Sequence, residues 1–197
     1  MILNDIAQVR TGIVTTRKKA TGYSKKIYEY SLLNLKCIEE PGYLELQQAE
    51  LFCSEEKLKS DYLTQDGDIL VRLSYPYTSV MIGEEQCGYL VPSHFAIIRV
   101  DRDKASPEYV LWTLRKDSTR RKIEQNNSGS SGFGTISSGF FSNLKIRDIP
   151  LEKQIVIGRL QRLSEKEQEL MHKLAEEKQK YHRAVMNMAY DSFKRGV

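Results

Sequence analysis

The sequence contains few cysteines, and their arrangement excludes two classes of small stabilised domain. Cys37, Cys53 and Cys87 are odd in number and widely spaced, and no two of them form a C-x-x-C pair. We therefore expect neither a disulfide framework nor a zinc site. The 3 histidines also lack metal-ligand spacing with any cysteine, so we expect ordinary packed or surface residues.

Long hydrophobic runs are absent as well. No apolar stretch in the 197 residues approaches the roughly 18 residues that a membrane-spanning helix needs. The opening MILNDIAQVR lacks a basic segment followed by an apolar one, so we expect no signal peptide. These absences favour a cytoplasmic protein, and the length suffices for one sizeable core with an appendage.

Catalytic motifs are also missing. The glycines of SGSSGFGTISSG (128–139) are not followed by the lysine of a P-loop and do not have the spacing of a dinucleotide fingerprint. The chain contains no G-x-S-x-G elbow, no His-Glu-x-x-His and no Asn/Asp-Pro-Pro-aromatic tetrad of an adenine methyltransferase. Glu55-Glu56-Lys57 supplies half of a nuclease motif, but residues 42–54 contain no aspartate to complete it. We expect no catalysis by this chain, and a nuclease with an unrecognised site is the alternative.

The first 150 residues have the pattern of a β-rich domain. Short runs of apolar and β-branched residues predict strands at 27–35, 68–73, 78–83 and 94–100. Ser106-Pro107-Glu108 predicts a helix start, because a capping hydroxyl precedes a proline in the first turn. A second short helix should continue through Ile123. The expected fold class is therefore α+β, with a β-rich domain over residues 1–150.

Residues 151–197 have a different pattern, that of one long coiled-coil helix. The region contains no proline, and apolar residues recur at alternating steps of three and four. The resulting seam consists of Leu160, Leu163, Leu170, Leu174, Tyr181, Ala184 and Met188, interrupted by Glu167 and Glu177. A helix of about 43 residues would be about 65 Å long, which exceeds the width of the preceding domain. We therefore expect a dimerisation seam, and packing of the seam on its own domain is the alternative.

Positive charge is concentrated in two short segments. The net charge is only +4, but residues 10–26 contain six basic side chains and no acid. Residues 115–122 contain five basic side chains and one acid. Such clusters neutralise phosphate groups in nucleic-acid-binding proteins. The alternative for each cluster is a solvated surface loop.

Several short motifs occur in an order that resembles a known family. NDIAQVRTG is similar to its first strand and glycine turn, LTQDGDILVRL to a turn and strand, and SHFAIIRVD with SPEYVLWTL to a strand and helix. SGSSGFGTIS and LKIRDIPLEKQIVIGRL are similar to a Gly-containing segment and the start of a spacer helix. Together they resemble the DNA-specificity (S) subunit of type I restriction–modification systems over almost the whole chain. The family usually has two prolines before the spacer helix, whereas this chain has only Pro150 there.

The resemblance implies a function and a set of partners. Full S subunits carry two target-recognition domains and two spacer helices, so this chain, with one of each, resembles a half subunit. Two copies would pair their helices (151–195) antiparallel, and their symmetry would make the DNA target an interrupted palindrome. A separate adenine methyltransferase subunit that uses S-adenosylmethionine and a nuclease-translocase subunit would be the partners, with no cofactor on this non-catalytic chain. The alternative is a scaffold that dimerises through its helix and binds another protein.

The DNA-binding candidates combine the basic clusters with loop residues. They are Arg17, Lys18, Lys19, Lys25, Lys26, Arg72, Tyr75, Tyr77, Arg120, Arg121, Ser130 and Ser131. The two basic clusters are candidates for phosphate contacts, which carry no sequence information. Arg72 and the tyrosines of the following turn are candidates for contacts with bases or sugars. Hydrophobic packing of the turn is the alternative for Tyr75 and Tyr77.

The Gly/Ser stretch 128–139 is expected to lie beside the DNA or near the junction with the helix. Its glycines would let the backbone approach closely, and Ser130 and Ser131 would donate to phosphates. Phe133 and Ile136 would anchor the stretch to the core. A flexible connection is the alternative.

Overall fold

A computed structural model of the chain describes residues 1–20, 26–39, 42–127 and 134–194. The strands are β1 (Ala7–Thr11), β2 (Tyr28–Leu32), β3 (Ile38–Glu39), β4 (Tyr43–Leu44), β5 (Glu50–Ser54), β6 (Ile69–Arg72), β7 (Ser79–Met81) and β8 (Phe95–Val100). The helices are α1 (Leu3–Ile6), α2 (Pro107–Arg115), α3 (Asp117–Asn127), α4 (Ser138–Ser142) and α5 (Leu151–Lys194). The predicted α+β class, a sheet domain followed by a long C-terminal helix, is confirmed.

The central feature is an antiparallel sheet with the strand order β1-β8-β6-β7. Strands β6 and β8 pair in the register Leu70↔Ile97 and Val71↔Ala96. Successive side chains of a strand point to opposite faces, and in β6 consecutive residues are buried because both faces of the sheet are covered. This double burial explains why β6 and β8 have continuous apolar sequences rather than alternating ones.

Each face of the sheet packs on its own apolar cluster. One face presents Val71 to a cluster that includes Tyr109 of α2 and Phe141 of α4. The opposite face presents Leu70 to a cluster that includes Ile38 of β3. Helices α2 and α4 therefore cover one face, while the β3–β4 region covers the other.

A second, two-stranded sheet pairs β2 with β5. Strand β2 lies within the predicted strand at 27–35, but β5 has no counterpart among the predicted strands. The sequence of β5, ELFCS, contains no β-branched residue. Its position depends on tertiary packing, because Phe52 is buried in a small cluster with Ile13, Leu58 and Leu90.

Helix α2 begins where the sequence predicts. The Oγ atom of Ser106 accepts a hydrogen bond of 3.4 Å from the backbone N–H of Tyr109, and Pro107 occupies the first turn. Lys116 has an extended backbone conformation that ends α2. Helix α3 then starts at Asp117, so the two helices meet at a corner.

The start of α5 is attached to the domain by a buried amide. Gln154 is 2% exposed, and its Oε1 atom accepts a hydrogen bond of 3.1 Å from the N–H of Ser106. Its Nε2 atom donates to the carbonyl of Ile149 at 2.9 Å. One turn further on, a Cβ atom at Gly158 would lie 2.5 Å from the Cβ of Glu108, so only glycine permits this close approach. These contacts fix the first turns of α5 against the N-terminus of α2.

The chain divides into two compact units, Met1–Gly158 and Arg159–Val197. Within the second unit, the described part of α5 is helical to Lys194 and its seam is exposed, with Leu163 at 66% and Leu174 at 56%. Among the described residues, no helix is long and apolar enough to cross a membrane.

Candidate nucleic-acid interface

The turn between β6 and β7, residues 74–78, presents one tyrosine and buries another. Tyr75 is 52% exposed, whereas Tyr77 is 9% exposed, and their rings meet edge to face with centroids 6.2 Å apart. Tyr77 has φ 57, a left-handed conformation that costs a residue with a side chain roughly 1–3 kcal/mol. The packing of Tyr77 holds this conformation and leaves the ring of Tyr75 directed outward.

Arg72 supports the same turn through hydrogen bonds to backbone carbonyls. One terminal nitrogen of its guanidinium donates to the carbonyls of Ile38 (3.1 Å) and Leu35 (3.4 Å). The other donates to the carbonyl of Tyr75 at 3.3 Å. Both terminal nitrogens are therefore engaged with backbone carbonyls, an arrangement that positions the turn.

A cavity of about 390 Å³ is lined by residues of the aromatic turn and by residues of the second basic segment, 115–122. Its lining includes Tyr77 and Thr78 from the turn, Arg115 from the end of α2 and Arg120 from α3. The guanidinium of Arg115 donates to the carbonyl of Ser79 at 2.7 Å, so this side chain supports the wall. Arg120 is exposed, with its Nε atom 3.8 Å from a carboxylate oxygen of Glu124. The cavity therefore combines an aromatic turn with a guanidinium that faces solvent.

The segment that follows the Gly/Ser stretch docks on this turn. The hydroxyl of Tyr77 donates to the carbonyl of Gly134 at 2.9 Å. The N–H of Ile136 donates to the carbonyl of Leu73 at 2.8 Å, and the side chain of Ile136 is buried in the core. Ile136 therefore anchors the segment as expected, while the candidates Lys25, Ser130 and Ser131, and also Phe133, lie outside the described residues.

In the first basic cluster, the described segment that ends at Ala20 lies beside the β2–β5 sheet. Ala20 donates its N–H to the carbonyl of Cys53 on β5 at 2.9 Å, which places the segment there. Lys18 forms an ion pair with Glu56. The ammonium of Lys26 lies 5.1 Å from the ring centroid of Tyr28, and a hydrogen bond with Tyr28 raises the pKa of Lys26. The remaining candidates Arg17, Lys19 and Arg121 are exposed.

Metal-binding residues do not cluster in the described part of the chain. No group of three or more histidine, cysteine, aspartate or glutamate side chains there could hold a metal ion. The half motif Glu55-Glu56-Lys57 has one of its acids, Glu56, paired with Lys18.

Comparison with known proteins gives matches at the level of structure alone. No protein-family model matches the sequence, and no curated protein matches it. A chain from a solved type I R-M system, described for its complex assembly and conformational transition, aligns with a TM-score of 0.65 at 14% identity. The alignment covers 89% of this chain and 44% of that one.

Two further solved structures agree with this match. The HsdS subunit from Thermoanaerobacter tengcongensis aligns with a TM-score of 0.62 at 17% identity, covering 89% of this chain and 44% of that one. The type I restriction–modification S subunit from M. genitalium gives 0.53 at 11% identity, covering 84% and 38%. The chain spans less than half the length of each of these three structures. It therefore has the fold of the matching part of these type I restriction–modification S subunits.

Proposed function

We propose that this chain is a half-length DNA-specificity subunit of a type I restriction–modification system. The observation that carries the proposal is the fold match, which covers 89% of this chain but only 44% of each of two solved chains. One sheet domain and one long helix correspond to half of a subunit that repeats both. The chain would have no catalytic role and would direct a separate adenine methyltransferase, which uses S-adenosylmethionine, and a nuclease-translocase.

The DNA-binding surface in this proposal is the turn at 74–78 together with α3. Tyr75 supplies an exposed ring that can contact bases or sugars, and Arg72 acts through the carbonyl of Tyr75 by holding the turn. Arg120 and Arg121 are exposed on α3, where a guanidinium can contact phosphate or the edge of guanine. The basic cluster beside β5 would add phosphate contacts at a second place.

The seam of α5 is the dimerisation surface in this proposal. A helix that exposes Leu163, Leu174 and Tyr181 on one heptad stripe is stabilised when a second helix covers that stripe. The simplest second helix is that of another copy, arranged antiparallel. The two-fold symmetry of such a dimer would place two identical domains on inverted half-sites, so the target would be an interrupted palindrome.

Binding of duplex DNA by the purified chain tests the proposal. We expect binding of a mixed-sequence duplex with an affinity that falls steeply as the salt concentration rises, because phosphate contacts release counterions. Light scattering in the same buffer should give the mass of a dimer. A chain that binds no duplex at low salt would contradict the DNA-binding role, and a stable monomer at micromolar concentration would contradict the pairing.

A further inference from the structure

Helix α3 has a second cavity on the side away from the turn. This cavity has a volume of about 280 Å³ and lies between α2, α3 and the segment that leads into α5. We call it the basic groove and define it by Trp112, Lys116, Lys122, Lys145 and Arg147, which all line it. The ring of Trp112 stacks on Tyr109 with centroids 5.7 Å apart, so the groove has a rigid aromatic wall.

The basic groove continues into a neighbouring cavity of about 670 Å³. The two cavities share Lys122 and Lys145, and the second one adds the amides of Asn126 and Asn143. Cations therefore occupy the middle of a longer polar strip. Lysine, arginine and asparagine side chains are the types that contact phosphate and sugar groups in protein–DNA complexes.

The cations of the groove form no close ion pair with any carboxylate of the described part of the chain. No carboxylate is among the described residues that line either cavity, and no ion pair there engages Lys122, Lys145 or Arg147. Lys116 instead lies over the ring of Trp112, with its ammonium 4.5 Å from the centroid. Like charges gathered without counter-charges create a positive potential that an anionic ligand would offset.

The position of the groove relative to Arg120 indicates which anion fits. Arg120 and Lys122 are two residues apart on α3, which at 3.6 residues per turn places them on opposite flanks of the helix, across a width of about 10–12 Å. The major groove of B-DNA is about 12 Å wide, admits an α-helix and is bordered by two phosphate backbones. Cations on both flanks of one helix match those two borders.

We propose that the basic groove binds backbone phosphates of duplex DNA along one border of a major groove that α3 enters, while Arg120 faces the other border. This inference rests on the proposed function and names the second set of phosphate contacts for it. Arg121 and Gln125 then occupy the outer face of α3, between the two borders.

The test compares a groove variant, Lys122→Ala with Lys145→Ala, with the wild-type full-length chain. Fluorescence anisotropy with a mixed-sequence duplex over a range of salt concentrations gives the slope of log affinity against log salt. Loss of two phosphate contacts should flatten that slope by about 1.8. The control, Lys104→Ala with Arg183→Ala, removes the same charge from two exposed side chains that line neither cavity, and it should keep the wild-type slope.

Further arms separate this inference from the proposed function. The charge-conserving variant Lys122→Arg with Lys145→Arg should retain the slope, and thermal unfolding should show that every variant is folded. If the wild type binds duplex and the groove variant keeps its slope, the groove inference is wrong and the proposed function stands. If the groove variant keeps its slope but loses binding to poly-glutamate, the groove belongs to an acidic protein segment and the inference is likewise overturned. If the wild type binds no duplex, the proposed function fails and the inference fails with it.

Discussion

The hydroxyl of Tyr77 donates a 2.9 Å hydrogen bond to the carbonyl of Gly134. This bond joins the turn that presents Tyr75 to the segment that follows the Gly/Ser stretch. Two parts of the chain that are separated by 57 residues therefore form one surface. The surface includes the rim of the cavity that Arg120 also lines.

Replacing Tyr77 with phenylalanine tests this link. The variant keeps the buried ring but removes the donor, so we expect the free energy of unfolding to fall by about 1 kcal/mol. DNA affinity should fall as well, because the turn and the Gly134 segment lose their common support. Tyr43→Phe is the control, since Tyr43 is half exposed and no described residue bonds to its hydroxyl. Equal DNA binding by Tyr77→Phe and the wild type would contradict the role of this link.

Arg120→Ala tests the guanidinium on α3. Its 3.8 Å pairing with Glu124 is exposed, so stability should change by less than about 0.5 kcal/mol. DNA binding should weaken for all sequences and the salt slope should decrease by about 1 if Arg120 contacts phosphate. Salt-series anisotropy measures both quantities. Loss of affinity for a single sequence alone would instead assign Arg120 to base reading, and no change would remove it from the interface.

Introducing negative charge into the α5 seam tests whether the seam is the dimerisation surface. Leu163→Asp with Leu174→Asp places two carboxylates on the apolar stripe, where burial in a dimer would be strongly unfavourable. We expect light scattering to show a monomer for this variant and a dimer for the wild type. Gln168→Asp with Gln179→Asp introduces the same charge on the opposite face of the helix and should remain dimeric. A dimer that survives the seam variant must be held by another surface.

Replacing Gly158 with alanine tests the close approach of α5 to α2, and a second helical glycine, Gly139, serves as the control. Alanine normally favours a helix over glycine by about 1 kcal/mol. At Gly158, however, the new Cβ would meet the Cβ of Glu108 at 2.5 Å, so Gly158→Ala should destabilise the chain by about 1–3 kcal/mol. Gly139→Ala in α4 meets nothing closer than 3.6 Å and should be neutral or stabilising. Denaturant unfolding at one fixed protein concentration gives the free energy of unfolding of each variant. Equal effects of the two substitutions would show that α5 and α2 do not approach this closely in solution.

The sequence predicted those helices and strands that residues close together in the chain determine. The strands β6 and β8 follow from apolar runs, and the start of α2 follows from Ser106 and Pro107. Strand β5 has no such signal, because only the burial of Phe52 and its pairing with β2 fix it. The motif at the start of the long helix likewise does not reveal that the side chain of Gln154 accepts a hydrogen bond from the N–H of Ser106.

The candidate site depends more on contacts that are distant in the chain. Arg72 was a candidate for reading bases, but one of its terminal nitrogens donates to the carbonyls of Leu35 and Ile38, more than thirty residues away. No local pattern encodes that arrangement. Trp112 and Lys116 did offer a local signal, since residues four apart meet on one helical face, and that spacing could have indicated the aromatic wall of the basic groove.

The most direct test of the central claim is a genome-wide map of adenine methylation in the cell that carries this gene, with and without the gene. We expect methylation to disappear at one interrupted palindrome when the gene is removed and to return when the gene is restored. Loss at an asymmetric bipartite site would keep the specificity role and replace the second copy with a different half subunit. An unchanged map in a cell whose adenine methyltransferase is active would contradict the account.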